Sequence, residues 1–162
     1  MSMTARFAFL LAAMAVPSAH AATVEHKQAP GAMIASAAII PPGSTLYYLS
    51  GATGAPIDPK DMESPDAFGD TEAQTLSIFT RMKAQLADMG LTMGDVVKLT
   101  VFLVGDPRLG GKMDRDGMTR AYKKFFGTAD QPNLPTRSAF QIAGLARPQQ
   151  LVEIEAIAAK AP

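Results

Sequence analysis

Apolar and polar positions along this chain repeat with two periods, and the switches between them outline its elements. Asp95–Val104 (DVVKLTVFLV) is rich in β-branched residues and carries only Lys98 as an interior charge, which predicts a central strand. Thr136–Ile142 and Leu151–Ala158 alternate with period two and are joined by a connection holding Gly144 and Pro148, which predicts a β-hairpin with a longer loop. In its second arm Val152, Ile154, Ala156 and Ala158 point one way while Glu153 and Glu155 point the other. An earlier hairpin is expected from Ala35–Ile40 and Leu46–Ser50 around the turn formers Pro41, Pro42, Gly43 and Ser44.

The helical period appears twice. Thr71-Glu72-Ala73-Gln74 reads as a capping box. Leu76, Phe79, Met82, Leu86 and Met89 then mark one helix face, Ser77, Arg81, Gln85 and Asp88 the other, and Gly90 the stop. A second amphipathic helix is expected over Asp114–Phe126, with Met118, Ala121, Tyr122 and Phe125 inward. Residues 22–34 read as an irregular lead-in, 52–69 as a long loop and 105–112 as a turn-rich connection. The resulting order, β-β-α-β-α-β-β, predicts an α+β fold with one mixed sheet and both helices on one face. The opposite sheet face is then too apolar to stay uncovered in a soluble monomer, so self-association is expected.

Composition narrows the class of protein. Arg6, the apolar run Phe7–Val16 and the small-x-small triplet Ala19-His20-Ala21 read as a signal peptide over residues 1–21, leaving one domain over 22–162 and a periplasmic or secreted protein. The apolar run is far shorter than the ~20 residues a membrane span needs, so no membrane association is expected after cleavage. Removing Arg6 from 15 basic side chains leaves 14 against 15 acidic, a net charge of −1 with no basic cluster, which speaks against nucleic acid as a partner. There is no cysteine, and only His26 of the two histidines survives cleavage, so thiolate catalysis, a Ser-His-Asp triad and a histidine or cysteine metal site are all without material. Asp58, Asp61, Glu63 and Asp66 lack the order of a calcium loop, and no metal is expected.

What remains is the last ribbon, largely apolar yet carrying Arg137, Glu153 and Glu155. Those charges either face water or belong to a site. A guanidinium fork matches a carboxylate with two parallel hydrogen bonds, which makes Arg137 the candidate for gripping a small organic acid.

Taken with the Tyr122-x-x-Phe125-Phe126 helix end, Pro135-x-Arg137-Ser138, Ser50-Gly51, Gly90-Leu91 and Val152-Glu153-Ile154-Glu155-Ala156-Ile157-Ala158, the DVVKLTVFL strand resembles the Rid (reactive intermediate deaminase, YjgF-type) family. The similarity runs from about Ala29 to Ala159. It implies a chorismate-mutase-like, ferredoxin-like fold, a homotrimer whose sheets form a central barrel, and clefts between subunits that hydrolyse small enamines and imines of 2-amino acids to 2-keto acids and ammonia. No cofactor is implied. By the same resemblance Glu153 orients water and shuttles protons, while the Gly51 backbone and the Ala139 carbonyl complete the pocket around a 2-imino or 2-keto acid. A one-residue slip in the hairpin is expected to put Glu155 in the place of Glu153. The chain departs from the family pattern between Gly31 and Ser36, where an aromatic hydroxyl is missing, and at Ala52, Thr119 and Ala139, where relatives carry glutamine, asparagine and cysteine. The alternative reading is a non-catalytic trimer that binds small carboxylates, or a chaperone-like protein.

Overall fold

The computed structural model describes residues 22–162; the leader expected over 1–21 lies outside the described residues. Strand β4 (Val96–Val104) shows how the sheet is built. Leu99, Val101 and Leu103 are fully buried, whereas Lys98, Thr100, Phe102 and Val104 alternate with them on the half-buried opposite face. Strand β6 (Val152–Lys160) repeats the pattern, with Val152, Ile154, Ala156 and Ala158 buried. These apolar rows meet Ile78, Phe79, Met82 and Leu86 of helix α1 (Thr71–Asp88) and Met118 and Tyr122 of helix α2 (Arg115–Tyr122) in one core. The fold is α+β, with both helices covering one face of a mixed sheet, as the patterning implies.

The sheet has the order β3-β6-β4-β5, where β3 is Thr45–Thr53 and β5 is Thr136–Ile142. Both expected hairpins are overturned by their pairings. β5 and β6 do not touch as neighbours: β6 lies antiparallel between β3 and β4, and β5 runs parallel to β4 on its far edge. The physical reason is the α2 crossover, which returns the chain in the same direction and so favours parallel pairing, while β6 gains a hydrogen-bonded neighbour on each edge by inserting itself centrally. Alternation gave each strand's face but not its neighbours. Likewise Ala37–Ile39 (β2) pairs with Glu25–Lys27 (β1) and not with β3. The lead-in is therefore partly a ribbon. It is tied down by His26, whose Nδ1 donates to the Leu134 carbonyl (2.8 Å), and by Gln28, which bonds the Leu134 N–H (2.8 Å) and the Pro132 carbonyl (3.0 Å).

Two boundaries also move. Asp70, not Thr71, caps α1, its carboxylate accepting from the Ala73 N–H at 2.8 Å. Gln74 turns inward instead of closing a capping box. α2 is regular only to Tyr122, after which hydrogen-bonded turns carry the chain to Phe126. Gly90 closes α1 as expected, at φ +70°, where a side chain would be strained.

Candidate functional site

Arg137 is the second residue of β5, an edge strand, and stands level with Leu99 of β4, so its side chain leaves the sheet on the helix side. There it meets α2. Its Cζ lies 4.5 Å from the centroid of the Tyr122 ring, and its Nη1 lies 3.6 Å from the Met118 Sδ. Tyr122 is itself fixed: Phe126 stacks on it at 4.9 Å and 24°, and Phe79 meets it edge-on at 6.3 Å. The guanidinium is thus half-buried against a ring and a thioether, one a π-face and the other a weak acceptor, and among the described residues no carboxylate lies within 4 Å of it. Burial pushes its pKa down, the Tyr122 phenol pulls it back up, and the charge of Arg115 pushes it further down. Burial also pushes the Tyr122 phenol up to about 12, against the pull of the Arg137 charge. The Tyr122 hydroxyl is buried and makes no hydrogen bond within the described residues.

Ala139 lies two residues further along β5, opposite Val101, on the same side of the sheet as Arg137, and packs against the core. Glu153 and Gly51 form a separate group. Glu153 stands level with Thr53 of β3 and Phe102 of β4 on the face away from the helices. β3 has a register irregularity between Leu49 and Ala52, and Gly51 falls inside it. A methyl on Gly51 would overlap the Glu153 Oε1 and lie 2.9 Å from its Cδ, so glycine is what lets the carboxylate lie over the β3 backbone.

The structure therefore joins Arg137 with Ala139, and Gly51 with Glu153, but does not bring the two pairs together within one chain. β4 separates them, and they project from opposite faces. An intrachain Glu153–Arg137 ion pair, the plainest structural use of these charges, is not formed. The expected exchange of Glu153 for Glu155 by register slip is also corrected. Residues i and i+2 share a face, and Glu155, level with Thr100, projects beside Glu153 on the open side. Proximity to Gly51, not register, distinguishes the two.

Elsewhere the acidic loop uses its carboxylates locally. Asp61 accepts from the Ser64 hydroxyl and the Ser64 and Glu63 N–H groups, which holds its pKa down, and Glu63 pairs with Arg147 at 3.0 Å. Gln141 bonds the Gly111 carbonyl and the Met113 N–H. Sequence reasoning missed Met118 and Tyr122 as the cradle of Arg137. Their spacing on the inner helix face was visible, but an apolar face predicts burial and is silent about which cation shares it.

A mixed sheet with helices on one face, a cationic group at one sheet edge and an acidic group on the open face together define a small α+β protein. The chain belongs to the Rid (YjgF-type) family: the Endoribonuclease L-PSP family profile matches residues 26–160. It is 33% identical over 137 residues to "Putative reactive intermediate deaminase TdcF" of Escherichia coli K12, covering 85% of this chain and 95% of that one. The crystal structure of E. coli TdcF with bound serine superposes with a TM-score of 0.56 at 32% identity, covering 80% of this chain and 96% of TdcF. The Rid-family protein YyfB of Yersinia pestis shares the fold, with a TM-score of 0.58 at 21% identity over 78% of this chain and 86% of that one.

Proposed function

We infer that this is an exported, homotrimeric Rid-type deaminase that hydrolyses small enamines and imines of 2-amino acids, with Arg137 of one copy and Gly51 and Glu153 of a neighbour facing one cleft. The single observation that carries the reading is Arg137. A guanidinium held by a ring and a thioether keeps most of its donors unused, already partly desolvated and oriented, which is what bidentate capture of a carboxylate needs. With the carboxylate fixed, water adds to the C=N carbon, the nitrogen takes a proton and leaves as ammonia, and a 2-keto acid remains. Glu153 orients that water and relays the proton. The identity to TdcF and the serine bound by that protein support a small amino-acid-derived ligand. The endoribonuclease name of the profile finds no support in a chain with no basic cluster.

The test is release of ammonia and keto acid from freshly generated 2-iminobutyrate. Wild type is expected to outpace Arg137→Ala and Glu153→Gln by at least ~100-fold. Equal rates for wild type and Arg137→Ala would show that the protein is not this deaminase. A second reading, binding without turnover, is favoured by the same arginine, because Glu153 projects from the opposite sheet face and does not lie against it in its own chain. Saturable binding of 2-oxobutyrate that Arg137→Ala removes, with no ammonia release, would establish that reading instead.

A further inference from the structure

Arg137 is not the only cation beside this face of α2. Arg115, Met118 and Tyr122 occupy positions i, i+3 and i+7 of α2 and so share one helix face. Met118 and Tyr122 are the two residues that hold the Arg137 guanidinium. Its Cζ lies over Tyr122 and its Nη1 at Met118, so the head group runs along α2 toward the turn that begins with Arg115. Arg115 is three residues, about 4.5 Å of rise, beyond Met118.

Among the described residues nothing pairs with the Arg115 guanidinium. The residue is exposed. Its two acidic neighbours do not hold it either. Asp114 caps α2 by accepting from the Gly117 N–H at 2.8 Å, and among the described residues Asp116 also forms no ion pair. By contrast Arg120, on another side of the same helix, is paired with Glu72 at 2.6 Å. The Arg115 charge is felt at Arg137, where it disfavours the protonated form. Two like charges beside one helix face repel each other, and a ligand with a negative charge at each end relieves that repulsion.

We propose that Arg115 is a second anion anchor beside Arg137, and that the cleft prefers 2-imino and 2-keto acids bearing a second carboxylate on the side chain. The ligand's 2-carboxylate takes the oriented fork of Arg137. Its distal carboxylate takes Arg115, whose long exposed side chain adapts to the chain length. The inference rests on Arg137 being the carboxylate anchor proposed above, and it identifies the substrate class as imines derived from acidic amino acids.

The experiment is isothermal titration of the wild-type protein, Arg115→Gln, Arg115→Lys and Arg137→Ala with 2-oxoglutarate and with 2-oxobutyrate at low and moderate salt. Wild type is expected to bind 2-oxoglutarate at least tenfold more tightly than 2-oxobutyrate. That ratio falls to about one in Arg115→Gln, is partly kept in Arg115→Lys, and shrinks as salt rises. Working with ratios separates the effect from any general loss of folded protein. Equal affinities in wild type, or a preference that Arg115→Gln leaves intact, overturns the proposal while the Arg137 anchor stands. If wild type binds neither acid, the proposal and the anchor fall together.

Discussion

Tyr122 illustrates how one side chain serves both the core and the Arg137 guanidinium. Its ring supports Arg137 on one side and stacks on Phe126 on the other, yet its buried hydroxyl has no partner. An unpaired buried hydroxyl costs about 1–3 kcal/mol, so Tyr122→Phe is expected to leave the urea midpoint unchanged or raise it. A loss above ~1 kcal/mol would show that the hydroxyl is bonded in solution. The same residue sets an alkaline limit. Its folded pKa, pushed up to about 12, lies above the ordinary tyrosine value near 10, so on raising the pH the unfolded chain releases this proton first. Its contribution to stability is therefore complete below about pH 10 and declines as pH rises toward 12. Wild type should lose stability over that window more steeply than Tyr122→Phe, and parallel curves would refute the assignment. Gly51 offers a contrasting case. Gly51→Ala forces only the end of the Glu153 side chain to move, whereas a methyl on Gly105 would overlap the carbonyl of Gly111, part of a neighbouring backbone. Gly51→Ala is accordingly expected to cost under ~1 kcal/mol in stability yet lower ammonia release at least tenfold, because it displaces the carboxylate. A large fall in the urea midpoint, or full activity, would contradict this placement of Glu153.

At the scale of elements, Gln74 fastens α1 to the connection between β5 and β6. Fully buried, it donates to the carbonyls of Gly69 (3.1 Å) and Gln149 (2.9 Å) and accepts from the Leu151 N–H (2.8 Å). Gln74→Ala strands two carbonyls and one N–H in the interior and is expected to cost about 2–5 kcal/mol by urea denaturation. Gln74→Glu should also destabilise, since the two carbonyls then lose their donor. A midpoint shift below 1 kcal/mol in Gln74→Ala would mean that water replaces the amide. Gln74 also marks where sequence reading reached its limit. The helix was legible from its apolar period and from Gly90, but the glutamine's three partners lie in the turn before α1 and the loop before β6, and no local pattern names them. β4, β5 and β6 were legible as strands with the correct faces. Their neighbours were not, because alternation encodes burial and only long-range packing decides that β6 lies between β3 and β4. The site followed the same division: Arg137 and Glu153 stood out as charges on an apolar ribbon, while the cradle of Met118 and Tyr122 and the separation of the two charges by β4 required the three-dimensional structure.

For the whole molecule, the decisive feature is the sheet face that the helices leave uncovered. Tyr48 is 74% exposed, Phe140 46% and Leu46 42%, and Phe140 lies 5.8 Å from Phe102 between ring centroids. Polar groups are interleaved with them, among them Glu155 and Lys98, whose Nζ donates to the Ser138 hydroxyl at 2.9 Å. Aromatic side chains set among polar groups suit a specific interface better than open water. Arg137 and Glu153 also project from opposite sheet faces, so the proposed site needs two copies to bring them together. Assembly and turnover should therefore fail together. A Tyr48→Asp/Phe140→Asp variant is expected to run as a monomer by light scattering where the wild type is expected to run as a trimer, to keep its far-ultraviolet circular dichroism, and to lose at least ~100-fold in ammonia release, since the proposed proton relay would no longer meet the proposed carboxylate anchor. Weak binding of 2-oxobutyrate should persist, because the cradle of Arg137 lies wholly within one chain. A wild type that is monomeric at assay concentration, or a monomeric variant that still turns over its substrate, would show that a single copy builds the site and that the open face serves another purpose.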